Sequence, residues 1–227
     1  AMAWMQDAAK ALFPGHVVAA ISDYQLFQGL QFESLEQSKT LYFDYQVEGE
    51  RVVISISSKV NNKPRFHYKA AVLLQSSLAS ANTKAWFADS ETFEGEMFYH
   101  NGALFHGENL QAIDKVLAVS EQGIKLLLKP KALASAAIND SVYQGALVYS
   151  FKQLALGSLP MATKHWRFYR CDKPSEIYIE LKLLDQKGQK LVFDAQVFNQ
   201  HEQLLADIAG IEMACKEGLT EQFIKKN

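Results

Sequence analysis

With 227 residues, 48% of them hydrophobic and 21% charged, and a formal net charge of −2, the chain has the profile of one or two folded domains. The near-neutral balance and scattered lysines exclude the basic face that nucleic acid requires, and apolar runs such as AVLL and IKLLL are too short to span a membrane. Cys171 and Cys215 have no Cys or His at ligand spacing, which sets aside a disulfide framework and a zinc site and suits a reducing cytoplasm.

The opening AMAWMQDAAKALFPG places Met2, Ala3, Met5, Ala9 and Leu12 at helical spacing, and Pro14 and Gly15 stop the element. Gln6, Asp7 and Lys10 interrupt the apolar stretch and no basic start precedes it, so the pattern predicts a buried helix and not a signal peptide. A domain that opens directly in such a helix suggests a fragment of something longer. After Gly15 the period changes. HVVAAISDYQLF, TLYFDYQVEG, RVVISISSKV and RFHYKAAVLLQ are rich in β-branched and aromatic residues, with turn chemistry at VEGERV and NNKP. They predict a meander of four or five antiparallel strands. Residues 76–95 are small, polar and aperiodic, the character of a connector.

The second half runs in a similar order. LQAIDKVLAVSEQ and GIKLLLKP predict a hairpin, INDSVYQGALVYSFKQLA a helix over 138–155, and LGSLP the break after it. Strands follow in ATKHWRFYRC, in SEIYIELKLLDQKGQKLVFDAQVFNQ with its turn at DQKGQK, and in HEQLLADIAGIEMAC. Helix, Pro/Gly stop and a run of antiparallel strands thus occur twice. The recurrence predicts an α+β fold made of a duplicated unit, in which each of two antiparallel sheets wraps one central apolar helix. That arrangement is a hot dog, and two in one chain make a double hot dog. The predicted units are residues 1–75, incomplete at the N-terminus, and residues 96–227, joined by the connector 76–95.

GALFHGENLQAIDKV, then LKP, NDSVYQGAL, SLP and LLADIAGIEMA, resembles in this order the second half of the dehydratase domains of polyketide synthases and polyunsaturated fatty acid synthases. The likeness sets FHGENLQ at the family's Gly-containing loop. It sets Asp140 and Gln144 at an Asp-x-x-x-Gln or Asp-x-x-x-His motif, and Leu159 and Pro160 at a Leu-Pro after the second helix. The opening AMAWMQDAAKALFPGHVVAAISDYQLFQGLQFE looks most like the polyunsaturated fatty acid synthases, where a Trp-Met helix ends in Pro-Gly before an Ile-Ser-Asp strand. Two departures stand out. The family's catalytic His lies in a His-x-x-x-Gly-x-x-x-x-Pro motif ahead of the first helix, and none of His16, His67, His100, His106, His165 and His201 has Gly and Pro at those spacings. The His-Pro dipeptide that often precedes the Asp is replaced by ASAAIN.

The resemblance implies dehydration of a β-hydroxyacyl thioester. A base removes the proton α to the carbonyl and an acid protonates the departing hydroxyl; in the family a His from one hot dog and the Asp from the other share these roles. Asp140 would then hold or protonate the leaving hydroxyl, and Gln144, one turn along, would fix the carboxyl by a hydrogen bond. Backbone N–H groups near Gly107 would polarise the thioester carbonyl. His106, Gly107, Tyr143, Leu159 and Pro160 are the candidate substrate contacts. As residues alone these positions have plainer roles. Asn139 and Asp140 suit a helix N-cap, Gln144 a helix-face amide, His106 a loop histidine, and Tyr143, Tyr149, Phe151 and Trp166 packing aromatics.

The function expected from the resemblance is that of a dehydratase domain fragment within a multidomain synthase. Its β-hydroxyacyl substrate would ride on the phosphopantetheine arm of an acyl carrier protein and leave as an enoyl thioester and water. Lacking the family's His motif, the chain alone is expected to be inactive. No metal, nucleotide or flavin is implied, since there is no P-loop, Rossmann glycine fingerprint or zinc spacing. The alternatives are a non-catalytic hot-dog module for acyl binding or carrier docking, and a hot-dog thioesterase. An edge left without its strand would favour a homodimer.

Overall fold

The computed structural model describes residues 1–30, 37–81, 83–129, 135–170 and 174–224; Pro130 and Cys171, which end predicted segments, lie outside the described residues. Helix α1 (Met2–Leu12) buries Met2, Met5, Gln6 and Ala9 along one face. Leu12, expected among them, is 37% exposed, because the helix ends beside it and Phe13 has already left the helical conformation. Gly15, at φ 84°, makes the turn out, a backbone region that costs glycine little.

Strands β1 (Val17–Leu26), β2 (Tyr42–Glu48), β3 (Arg51–Val60) and β4 (Lys63–Gln75) follow. In β3 the alternation of Val52, Ile54 and Ile56 buries one face, the period of two that a half-covered sheet demands. The meander expected here is limited to β2–β3–β4. β1 pairs with β4 instead of β2.

A short strand β5 (Phe93–Glu94) sits inside the predicted connector, and helix α2 (Glu96–His100) follows it. Next come the hairpin β6 (Ile113–Ser120) and β7 (Gly123–Leu128), helix α3 (Ser135–Leu154), strands β8 (Gly157–Phe168), β9 (Ile177–Lys187), β10 (Lys190–Asn199) and β11 (Leu204–Lys216), and a last helix α4 (Leu219–Ile224). Leu159 and Pro160, expected in a break, are part of β8. Pro160 is tolerated there because β1 pairs with β8 only from Ala162 onward, so β11 is its one neighbour at that point, and proline is confined to such edge positions.

All the described pairings are antiparallel, and they build one eleven-stranded sheet in the order β2-β3-β4-β1-β8-β11-β10-β9-β7-β6-β5. The two sheets expected of a double hot dog are therefore joined edge to edge, through Ala20 opposite Arg167, Ile21 opposite Trp166 and Tyr24 opposite Thr163. α1 packs on β1 and β4, α3 packs on β6 to β9, and the two helices touch. Val142, Ala146, Leu147, Val148 and Tyr149 are all buried, so α3 is covered on every side, as a helix that is apolar all round requires. Gly145 permits the close approach: a Cβ there would stand 2.7 Å from Leu181 Cδ1 and 2.8 Å from Leu126 Cδ1. One hydrophobic core runs through both halves, from Met5 and Ile21 to Trp166 and Phe193. Among the described residues, no helix is long and apolar enough to cross a membrane.

Candidate active site

The N-terminal ends of α1 and α3 meet beside the β1–β8 seam and border an open cavity of about 720 Å³. Its walls come from both halves of the sheet: Tyr24, Leu26 and Tyr68 on one side, Phe105, Leu110 and Leu159 on the other. From α3, Ala136, Asn139, Asp140, Tyr143 and Leu147 face it, a three- and four-residue spacing that sets all five on one side of a helix. Among the described residues, Asp140 is the carboxylate in this largely apolar lining.

Asp140 is not a cap. The helix begins at Ser135, which sets Asp140 in the second turn, where the backbone N–H groups already have intrahelical acceptors. Its Oδ2 instead accepts a 2.6 Å hydrogen bond from Gln144 Nε2. Gln144, with no exposed surface, is fully used. Nε2 also donates to the Leu110 carbonyl at 2.7 Å, and Oε1 accepts from Tyr99 Oη at 2.6 Å. The Tyr99 oxygen in turn accepts from the Ile113 backbone N–H at 3.1 Å. Two acceptors on one side and a donor on the other fix which way the amide points, and so fix the carboxylate. Burial pushes the Tyr99 hydroxyl up to about 12, which keeps its proton available for this bond.

His106 Nε2 stands 3.4 Å from the same Asp140 Oδ2. Its ring stacks on Phe105 at 4.6 Å between centroids, and its Nδ1 is buried with no partner among the described residues. Burial lowers the imidazole below its ordinary range and the Asp140 charge opposes that shift. The loop reading of His106 holds for its backbone, just before the turn Glu108–Leu110, while its side chain enters the cavity. Tyr143 Oη shares a 2.9 Å hydrogen bond with Thr163 Oγ1 on β8, and burial raises it to about 12.

The candidate residues therefore separate into layers. Asp140, His106, Tyr143, Leu159 and Pro160 line the cavity, and Gln144 stands behind Asp140. Gly107 does not line it. It faces a smaller neighbouring pocket with Glu108 and Gln111, in an extended conformation that starts the turn. Sequence reasoning missed Tyr99, on α2, because nothing local ties a helix elsewhere in the chain to Gln144. It also gave Asn139 only a capping role, whereas Asn139 lines the cavity with a buried Nδ2 that has no partner among the described residues.

No family model matches the chain. One of the subunits of the polyunsaturated fatty acid synthase from Thraustochytrium sp. (strain ATCC 26185 / S-3) is 25% identical over 227 residues, a match that takes in 90% of this chain and 8% of that protein; the chain thus spans a small part of the curated relative's length. Among solved structures, an inactive mutant of the CurJ dehydratase aligns with a TM-score of 0.77 at 17% identity, covering 96% of this chain and 82% of the other. The dehydratase domain from the CurJ module of the curacin polyketide synthase gives 0.76 at 18%, covering 95% and 81%. The dehydratase domain of RzxB from Pseudomonas fluorescens gives 0.70 at 16%, covering 93% and 81%. The chain has the double hot-dog fold of these polyketide synthase dehydratase domains, and in sequence it resembles a stretch of a polyunsaturated fatty acid synthase.

Proposed function

We propose that the chain is the dehydratase unit of a polyunsaturated fatty acid or polyketide synthase, acting on a β-hydroxyacyl thioester presented by an acyl carrier protein. The observation that carries this reading is the Asp140 carboxyl, held by Gln144 and facing an apolar cavity walled by both halves of the sheet. An acyl chain is matched by the apolar lining, and its hydroxyl by the carboxyl.

Asp140 acts as the acid toward the departing hydroxyl. Gln144 positions it. Tyr143 and Thr163 form a hydroxyl pair at the wall, and Leu159 and Pro160 border the acyl chain. The family's base belongs to a motif that these residues do not contain, and His106 is the imidazole of this chain within reach of Asp140. The chain alone is therefore expected to be inactive, with turnover arising in the longer synthase.

The test is a dehydration assay on a β-hydroxyacyl carrier protein, following the enoyl product. In the synthase, Asp140→Asn is expected to lower the rate on the order of 10² to 10⁴-fold, the span of a lost acid or base, with the melting temperature nearly unchanged. A wild-type rate would leave Asp140 as a structural residue only. Release of free acid without enoyl product would favour a hot-dog thioesterase, and turnover by the isolated chain that is lost in His106→Ala would make His106 its base.

A further inference from the structure

Glu180, on β9, is a buried carboxylate that the candidate active site does not use. It has no exposed surface, yet its neighbours Ile179 and Leu181 belong to the core, so by strand alternation its side chain points to the opposite, outer face of the sheet. There it stands in a row that crosses three strands. Gln196 of β10 is its register partner on one side and Lys125 of β7 on the other.

The connector follows this row. Thr83 Oγ1 accepts from Gln196 Nε2 at 3.4 Å, the Trp86 backbone N–H donates to Glu180 Oε2 at 2.5 Å, and the Phe87 carbonyl accepts from Lys125 Nζ at 3.2 Å. Farther on, the Ser90 N–H donates to the Leu117 carbonyl of β6 at 2.9 Å. Residues 83–90 thus lie as a strap across β10, β9, β7 and β6. Its aromatic side chains are seated as well. Lys182 Nζ lies 6.0 Å from the centroid of the Trp86 ring, and Phe87 uses the space that Gly123 leaves, where a Cβ would stand 2.7 Å from Phe87 Cζ.

Glu180 is an incomplete ion pair. Its Oε1 is buried with no hydrogen-bond partner among the described residues, and Lys125 Nζ stands 3.8 Å from it but 2.7 Å from Asp89 Oδ1. Tyr178 and Lys182 share its face of β9, and Asp194 of β10 stands opposite Lys182. A buried charge so poorly paired is disfavoured against its neutral form. Burial accordingly raises the Glu180 carboxyl above its ordinary value of 4.5, with Trp86, Lys125 and Phe87 opposing the shift and Asp89 adding to it. Oε2 can accept from the Trp86 N–H in either protonation state. Closure over Glu180 is therefore favoured below pH 4.5 and weakens as pH rises from there through the raised value.

We infer that residues 83–90 form a releasable strap with Glu180 as its pH-dependent fastener, closed over the protonated carboxyl and loosened when that carboxyl ionises, while the β1–β8 seam keeps the two halves together. An amide or an apolar side chain at this position would fasten the strap permanently. The carboxyl makes closure depend on a proton.

The experiment is residue-resolved amide hydrogen exchange on the 227-residue chain between pH 4.5 and 8, each rate divided by the intrinsic rate at that pH. The open fraction at Trp86 and Ser90 is expected to rise about tenfold or more over this range, since one linked proton changes it by up to about tenfold per pH unit. Amides of β3, in the other half, should hold steady. Glu180→Gln keeps an acceptor for the Trp86 N–H and cannot ionise, so its strap should open to the same extent at every pH. An open fraction that does not rise with pH in the wild type, or that rises as steeply in Glu180→Gln, overturns the inference. A rise shared by the β3 amides is unfolding of the whole molecule and overturns it too. The strap stands apart from the acyl-thioester reading: failure of that reading shows in the enoyl product assay and leaves these exchange rates as they are.

Discussion

At the scale of single residues, the candidate acid is held by a relay of satisfied polar groups, and such relays are sensitive to the loss of one atom. Tyr99→Phe removes the donor to Gln144 Oε1 and the acceptor of the Ile113 N–H together. A buried polar group without a partner costs about 1–3 kcal/mol, so denaturant unfolding should show a loss of that order. Dehydration should fall as well, since the Gln144 amide that positions Asp140 then loses one of its three hydrogen bonds and keeps only those from Nε2. His106 yields a pH dependence with a definite sign. Its folded-state pKa is depressed by burial, so the ring binds its proton more readily in the unfolded chain. The stability it contributes is present above the ordinary histidine value of about 6.5 and is lost as pH falls from there through the depressed folded value. Melting curves between pH 7.5 and 5 should therefore fall more steeply for the wild type than for His106→Gln. The Asp140–Gln144 pair was legible in the sequence because one helical turn separates the two. Tyr99 was not, because a partner 45 positions away leaves no local pattern.

At the scale of elements, α3 illustrates how packing overrides propensity. Glycine inside a helix ordinarily costs about 1 kcal/mol relative to alanine, so Gly145→Ala would stabilise an exposed helix. Here the new methyl group meets Leu126 and Leu181 inside the core, and overpacking costs about 1–3 kcal/mol. The expected result is a lower melting temperature, measurable by calorimetry. The same helix explains the misplaced cap. Asn139 and Asp140 are good N-cap residues, but the helix continues back through Ser135, and the apolar cavity uses both positions instead. Strand β8 offers the matching lesson, since Leu-Pro reads as a break in a sequence whereas one unpaired strand edge is enough to admit it.

At the scale of the whole molecule, the β1–β8 seam turns two wrapped-helix units into one sheet with one core. Ile21 and Trp166 face each other across it, 0% and 1% exposed. Cooperative unfolding is the expectation for a shared core. Tryptophan fluorescence, which samples α1, the connector and the seam, should give the same denaturant midpoint as far-UV circular dichroism. Ile21→Ala, a large-to-small change in a core, should shift both midpoints together by an amount equivalent to about 2–5 kcal/mol, and separated midpoints would show that the halves unfold independently.

The positions of the helices and long strands were determined by the sequence itself, because hydrophobic period, β-branched content and turn residues act over a few neighbouring positions. So was the spacing of Asp140 and Gln144, which a single helical turn defines. The joining of two sheets into one, the partners of Gln144 and the entry of His106 into the cavity were decided only by the tertiary structure. Each of these brings together residues far apart along the chain, and contacts of that kind are set by what the folded core excludes and encloses, which no local pattern of residues records.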